Sequence, residues 1–214
     1  MIQLTRSGTT FSGSAQDLEA LRRRFDRQHC LKLRQLLDPE LLQLIQRKID
    51  QAEFHQRIHE AIASELWVPD VITRGLLHFL TNDPKLFSII QQITGCGHVG
   101  CFMGRVYRMV PGCDHYDSWH EDMIEDRIIG MSINLSKEVY YGGIFQIRDH
   151  ESGEILHQVA NTGFGDGIIF RLAHHLQHRI TNVEGAVPKT ALAGWFKSQP
   201  DFYTLLKSEL SELR

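Results

Sequence analysis

The sequence predicts an α+β fold in one domain: helices first, then an antiparallel β-sandwich or barrel, with helices packed on one face. Three observations predict it. Asp38-Pro39 and Asp83-Pro84 each place an N-cap acceptor and an N1 proline ahead of apolar residues at helical spacing. From about residue 98 the chain becomes a succession of short β-rich runs separated by Gly- and Pro-containing turns. No internal repeat or linker divides the 214 residues, a length that one domain can bury.

Taken in order, "HCLKLRQLL" (29–37) mixes apolar and basic residues in partial alternation and reads as an early strand. The helix opened by Asp38-Pro39 runs through "ELLQLIQRKIDQAEF". The one opened by Asp83-Pro84 stops at Gly95, with Leu86, Ile89, Ile90 and Ile93 as its buried stripe. Then come "HVGCFMGRVYRMV" up to Pro111-Gly112, "RIIGMSINLS" (127–136), the Gly142-Gly143 break, "IFQIRD" (144–149), "ILHQVA", "IIFRL", "HRITNV" and "TALAGWFK" (190–197). The tail "DFYTLLKSELSELR" reads as a closing amphipathic helix. The single domain therefore divides into a helical part (about 1–97), a β core (about 98–198) and a C-terminal helix (about 199–214).

Composition excludes several classes. At 42% hydrophobic and 23% charged the chain is ordinary for a soluble globular protein. A net charge of −3 argues against a broad grip on nucleic acid or anionic membrane, and Arg22-Arg23-Arg24 reads as a solvated helix face. The amino terminus lacks the apolar core of a signal peptide and no segment is long enough to span a bilayer, so a cytoplasmic location is expected. Cys30, Cys96, Cys101 and Cys113 form no CxxC pair and are expected as unpaired, largely buried thiols.

The chemistry-bearing stretch is "DSWHEDMIED" (117–126). On a strand, residues i and i+2 face the same way, so His120 and Asp122 would aim at one point with Glu121 turned away. "AHHLQHRITN" (173–182) offers His174, His175 and His178 as the third ligand. Two imidazoles and one carboxylate make the facial triad of non-haem iron(II) oxygenases, leaving the remaining positions open. Eleven residues after His178, Lys189 opens the apolar run "KTALAGWF". A cation there needs an anionic partner, which the far end of a dicarboxylate would provide.

"WHED", "GGIFQIRD" and "GDGIIF…HHLQHRITNVEGAVPKTALAGWF" together resemble the Fe(II)- and 2-oxoglutarate-dependent dioxygenases, particularly their prolyl-hydroxylase-like branch. The resemblance covers about residues 100–198. It implies a double-stranded β-helix (jelly-roll) of antiparallel strands. It further implies Fe(II), 2-oxoglutarate and dioxygen as cofactor and cosubstrates. Carried over by position, His120, Asp122 and His178 are the expected iron ligands, and Lys189 the partner of the distal carboxylate of 2-oxoglutarate. In the family pattern the metal histidine begins a strand, which favours His178 over His174 and His175 in the preceding loop. Tyr107 is a candidate cosubstrate contact or a half-buried strand aromatic. Asn134 falls where relatives often place a tyrosine that helps hold the same carboxylate. Trp195 lines the pocket floor or packs in the core.

The activity so implied is hydroxylation of a C–H bond, with decarboxylation of 2-oxoglutarate to succinate. The substrate is an amino acid, a peptide or protein side chain, or a small natural product, with no nucleic-acid or membrane partner. The carboxylate of Asp122 favours hydroxylation over halogenation. Two other classes stay open: a cupin-like metal protein acting as isomerase or hydrolase without 2-oxoglutarate, and a non-catalytic β-sandwich binding module. The expected rim comprises 62–75 and 114–119, where Trp67, Tyr116 and Trp119 enclose substrate or plug the barrel. Arg127 and Arg148 either reach the substrate or lie on the surface. His115, His150 and His157 have no assigned task.

Overall fold

The computed structural model describes residues 1–124 and 126–204. The elements run β1 (Ile2–Thr5), β2 (Gly8–Phe11), α1 (Ala15–Gln28), β3 (Cys30–Leu33), α2 (Pro39–Gln51), β4 (His55–His59), β5 (Ala63–Trp67), α3 (Val71–Thr81) and α4 (Pro84–Thr94). The β core follows as β6 (Cys101–Met109), β7 (Tyr116–Asp117), β8 (Arg127–Asn134), β9 (Tyr141–Gly142), β10 (Phe145–Asp149), β11 (Ile155–Val159), β12 (Gly167–Arg171), β13 (Leu176–Ile180), β14 (Val183–Glu184) and β15 (Lys189–Lys197).

Two of the predicted helices start where their caps require. Asp38 Oδ1 accepts from the Leu41 amide at 2.8 Å, and Asp83 Oδ1 from the Lys85 amide at 2.7 Å. Gly95, at φ 68°, ends α4 in the left-handed conformation that a side chain would resist.

The strands form a major antiparallel sheet in the order β3-β12-β8-β15-β6-β5-β4, with β7 added beside β5, and a minor sheet β11-β10-β13. This is the jelly-roll architecture, a curled sheet with the minor sheet facing it. Alternation divides the major sheet's two faces. Leu192 and Phe196 of β15, Phe102 and Val106 of β6, and Ile129, Met131 and Ile133 of β8 pack into one core with α1, α2 and α4. The opposite parity carries Lys189, Ala191, Ala193 and Trp195, paired with Met109, Tyr107, Arg105 and Met103. That concave face looks toward the minor sheet.

Three expectations need correction. Within the part read as helical, α2 ends at Gln51 rather than running through Phe54, and the β4–β5 hairpin follows it. His120 makes only an isolated bridge and Asp122 lies in the loop beyond it, so the two do not share a strand. Cys113 is exposed, although Cys30 and Cys101 are buried as expected and no disulfide forms among the described residues. The predicted C-terminal helix lies from residue 205 onward outside the described residues.

Candidate functional site

The site is assembled by backbone pairing before any side chain acts. The His120 amide donates to the His178 carbonyl at 3.1 Å, and the His178 amide to the His120 carbonyl at 3.0 Å. This single antiparallel pair joins the loop after β7 to β13 and sets the two imidazole centroids 4.4 Å apart. His178 sits in the middle of β13, not at its start. Phe145 and Phe170 flank its ring at 6.0 and 4.6 Å, which restricts its rotation.

Asp122 reaches the same point from the loop. Its Oδ2 lies 3.3 Å from His178 Nε2 and 3.8 Å from His120 Nε2. Loop geometry alone does not hold it there. Trp195 Nε1 donates to Oδ2 at 2.7 Å, and Arg127 Nη1 to Oδ1 at 3.2 Å, while the Arg127 guanidinium stacks 3.7 Å from the Trp195 ring. One ligand atom from each of His120, Asp122 and His178 falls within 4.8 Å of the others, the only such His/Cys/Asp/Glu group among the described residues.

The donor set suits a divalent metal of the iron type. His120 Nδ1 donates to the Ser118 carbonyl at 2.7 Å, which leaves Nε2, the nitrogen facing Asp122, as the lone-pair donor. Without a metal the cluster holds itself together electrostatically. Burial opposes a charge on His120, but Asp122 and Asp117 prevail and raise it to about 9. Burial likewise opposes the Asp122 carboxylate, yet bonds from His120 and His178 hold it well below the usual range. Asp117, half-buried, is raised by desolvation; its Oδ2 accepts from the Ile180 amide at 2.6 Å, tying β7 to β13.

A cavity of about 180 Å³ opens between the sheets. His120, Asp122, His178, Tyr107 and Trp195 all line it. Tyr107 is buried, and its hydroxyl has no hydrogen-bond partner among the described residues; burial pushes its pKa well up. Lys189 stands next along the concave face, opposite the lining residue Met109. It is 3% exposed, its ammonium donates to the Gly143 carbonyl at 2.9 Å, and no described carboxylate pairs with it. Gly142 and Gly143, at φ 66° and 56°, make the turn that aims that carbonyl. Burial pushes the Lys189 ammonium down to about 7, against the attraction of Asp117.

Other expected positions fare differently. Asn134 shares the concave parity, but its amide is committed to the loop: Nδ2 donates to the Gly163 carbonyl at 2.9 Å and Oδ1 accepts from the Ser136 amide at 3.2 Å. It does not line the cavity, and these bonds brace the loop. Trp119 does not line the cavity; it is stacked between Arg148 and Arg179 at 4.3 and 4.5 Å. Arg148 is further held by Gln177 and does not line the cavity, whereas Arg127 does. Of the expected rim, Ile62, Ala63, Tyr116 and Asp117 line it. His174 pairs with Glu121 at 3.7 Å, and neither it nor His175 joins the donor cluster. Glu65, also in the expected rim, lines the cavity too; sequence reasoning gave Asp117 and Glu65 no role and missed Arg57 and Arg105 altogether, where charged residues on the concave parity were the available signal.

Residues 104–197 match the family model described as "2OG-Fe(II) oxygenase superfamily". No curated protein sequence matches the chain. Among solved structures, a prolyl-4-hydroxylase from Pseudomonas putida is 17% identical, with 85% of this chain and 99% of that chain covered and a TM-score of 0.63. A prolyl hydroxylase from Trichoplax adhaerens, in complex with a hypoxia inducible factor peptide fragment, is 13% identical, with 86% and 90% covered and a TM-score of 0.59. The α-ketoglutarate-dependent epimerase SnoN from nogalamycin biosynthesis is 14% identical, with 86% and 82% covered and a TM-score of 0.62. At these identities the structures establish the shared fold. No described helix is long and apolar enough to cross a membrane.

Proposed function

We propose that this chain, whose residues 104–197 match the 2OG-Fe(II) oxygenase superfamily model, is an oxygenase of that superfamily and hydroxylates a C–H bond of an amino acid, a peptide or protein side chain, or a small natural product. In this reading His120, Asp122 and His178 hold iron(II), and Lys189 binds the distal carboxylate of 2-oxoglutarate. Iron, 2-oxoglutarate and dioxygen would supply the oxidising chemistry, converting R–H, 2-oxoglutarate and O2 into R–OH, succinate and CO2. The chain's own residues orient and insulate. Trp195 and Arg127 orient Asp122, the Ser118 carbonyl sets the His120 tautomer, and Phe145 and Phe170 wall the site against water. The carboxylate of Asp122 supports hydroxylation over halogenation, because it fills a position that a halide would need.

One observation carries the proposal: a buried ammonium with no carboxylate partner among the described residues, Lys189, stands on the same concave face as the cavity lined by the three donors. A buried cation without a counter-charge is unfavourable, and a dianion that also binds the metal resolves it. The test is an anaerobic titration with Fe(II) and then 2-oxoglutarate, following the visible charge-transfer band of an iron-chelated 2-oxo acid. A band in the wild type that disappears in His178→Ala supports the reading. Metal binding indifferent to 2-oxoglutarate would refute it and favour a metal protein of another chemistry.

A further inference from the structure

We propose that Arg57 and Arg105, gathered around Glu65, form a second anion subsite in the cavity that receives a carboxylate of the substrate. The assignment of this carboxylate to substrate rests on the oxygenase reading above; the subsite itself rests on its own geometry. Arg57 of β4 is the cross-strand partner of Glu65 of β5, and Arg105 of β6 shares their concave parity. All three side chains line the cavity.

One carboxylate serves two guanidinium groups. Glu65 Oε1 accepts from Arg105 Nε at 2.7 Å and from Arg57 Nη1 at 3.3 Å. Glu65 is 7% exposed, so its charge is spent inside the cluster. Both Nη groups of Arg105 and the Nη2 of Arg57 have no hydrogen-bond partner among the described residues, although both guanidiniums face the cavity. The cluster therefore carries a net single positive charge and a set of unused planar donors. Burial, and the repulsion of the Arg105 guanidinium, hold Arg57 below its ordinary value.

That surplus selects the guest. A guanidinium presents paired donors that match the two oxygens of a carboxylate. A monoanion neutralises the cluster, whereas a phosphate dianion would leave one negative charge in excess. The location also fits a reacting molecule. The Arg105 guanidinium carbon lies 5.9 Å from the Trp195 ring centroid, and that indole donates to Asp122 at 2.7 Å. One aromatic ring thus separates the anion subsite from a proposed iron ligand. A cavity of about 180 Å³ suits a small carboxylic acid or a single acidic side chain.

The test uses full-length protein loaded anaerobically with Mn(II) and saturating 2-oxoglutarate, and the bare protein in parallel. Calorimetry compares propionate, N-acetylglycine and benzoate with their neutral carboxamides, and the peptide acetyl-Gly-Glu-Gly-amide with its Gln counterpart. Preference for the small acids assigns a free acid, and preference for the Glu peptide an acidic side chain. The expected result is at least one acid binding tenfold or more tighter than its amide. Arg57→Gln, which retains the 2.7 Å Arg105–Glu65 bond, and Arg105→Gln should each abolish most of that preference. The 2-oxoglutarate titration of Arg57→Gln should match the wild type. Acids and amides binding alike, or no acid binding at all, overturns the proposal. So does a tenfold loss of 2-oxoglutarate affinity in Arg57→Gln, because the pair would then serve the cosubstrate. Acid preference in the bare protein without an iron–2-oxoglutarate band would keep the subsite and reject the oxygenase reading.

Discussion

Replacing Lys189 with Met tests the cosubstrate assignment through proton linkage. Methionine keeps a flexible unbranched stem but removes the charge. The wild-type ammonium is pushed down from 10.5 to about 7 in the folded protein. A lysine with a depressed folded value binds less proton folded than unfolded between those two pH values, so stability rises with pH in that window. Integrating between pH 7 and 9 gives a gain of about 2 kcal/mol for the wild type, absent in Lys189→Met. For a chain of this size that corresponds to roughly 4–8 °C in the difference between the two melting temperatures. His120, raised to about 9, runs the other way; its stabilisation is present below 6.5 and lost as pH rises through 9. Since both proteins carry His120, the difference between them isolates Lys189. Binding of 2-oxoglutarate should reprotonate Lys189, so wild-type affinity should fall about fifty-fold from pH 7 to 9. Lys189→Met should bind weakly and without that slope. Thermal melts at the two pH values, and calorimetry in buffers of different ionisation enthalpy, read both effects. An equal pH slope of 2-oxoglutarate affinity in the two proteins would refute the reasoning.

Other predictions concern the donors and the sheet. Trp195→Phe removes the 2.7 Å bond to Asp122 and leaves Arg127 in place, so Mn(II) affinity should weaken about 10–100-fold; unchanged affinity in a competition titration would remove Trp195 from the metal site. His178→Ala should fail to retain Fe(II) through desalting, while His174→Ala and His175→Ala retain it as the wild type does, as read by bound-metal analysis. Gly194→Ala would press its new Cβ against the Met103 carbonyl oxygen and the Gly104 Cα across the β6–β15 pairing, where only backbone could yield. A denaturant melt should show a loss of about 3 kcal/mol. Gly97→Ala, with nothing within 4 Å of the added carbon, should change stability by about 0.5 kcal/mol or less.

What could be read in the sequence was local. The helix starts at Asp38-Pro39 and Asp83-Pro84 were legible because an N-cap acts on amides two or three residues away. The core strands were legible because apolar alternation reports burial directly. The β4–β5 hairpin was not. β4 is the sheet's edge strand and carries His55, Gln56, Ile58 and His59 exposed, so its composition reports solvent rather than pairing. The loop position of Asp122 was equally hidden. An i, i+2 spacing gives the same aim on a strand as in an extended loop steadied by Trp195, which lies 73 residues away.

The same distinction separates the two halves of the candidate site. His120, Asp122, His178 and Lys189 belong to residue types that metal and dicarboxylate binding demand, and the family resemblance, which singled out His178 among three histidines, nominated them. Arg57, Glu65 and Arg105 are ordinary surface types whose meaning depends on strands 40 residues apart meeting on one concave face. Pairing the charges there leaves two separate surpluses. Asp122 is balanced by Arg127 and its histidines, and Glu65 by one of its two arginines. Asp117 lies 3.5 Å from His120 Nδ1 and attracts Lys189 from beyond ion-pair distance, so among the described residues neither Lys189 nor the second guanidinium of the Arg57–Arg105 pair has a carboxylate in contact. They lie on different strands, β15 against β4 and β6, so in the proposed reading 2-oxoglutarate at Lys189 would answer only the first. On the proposed reading, the remaining charge would be met by an acidic group of the substrate.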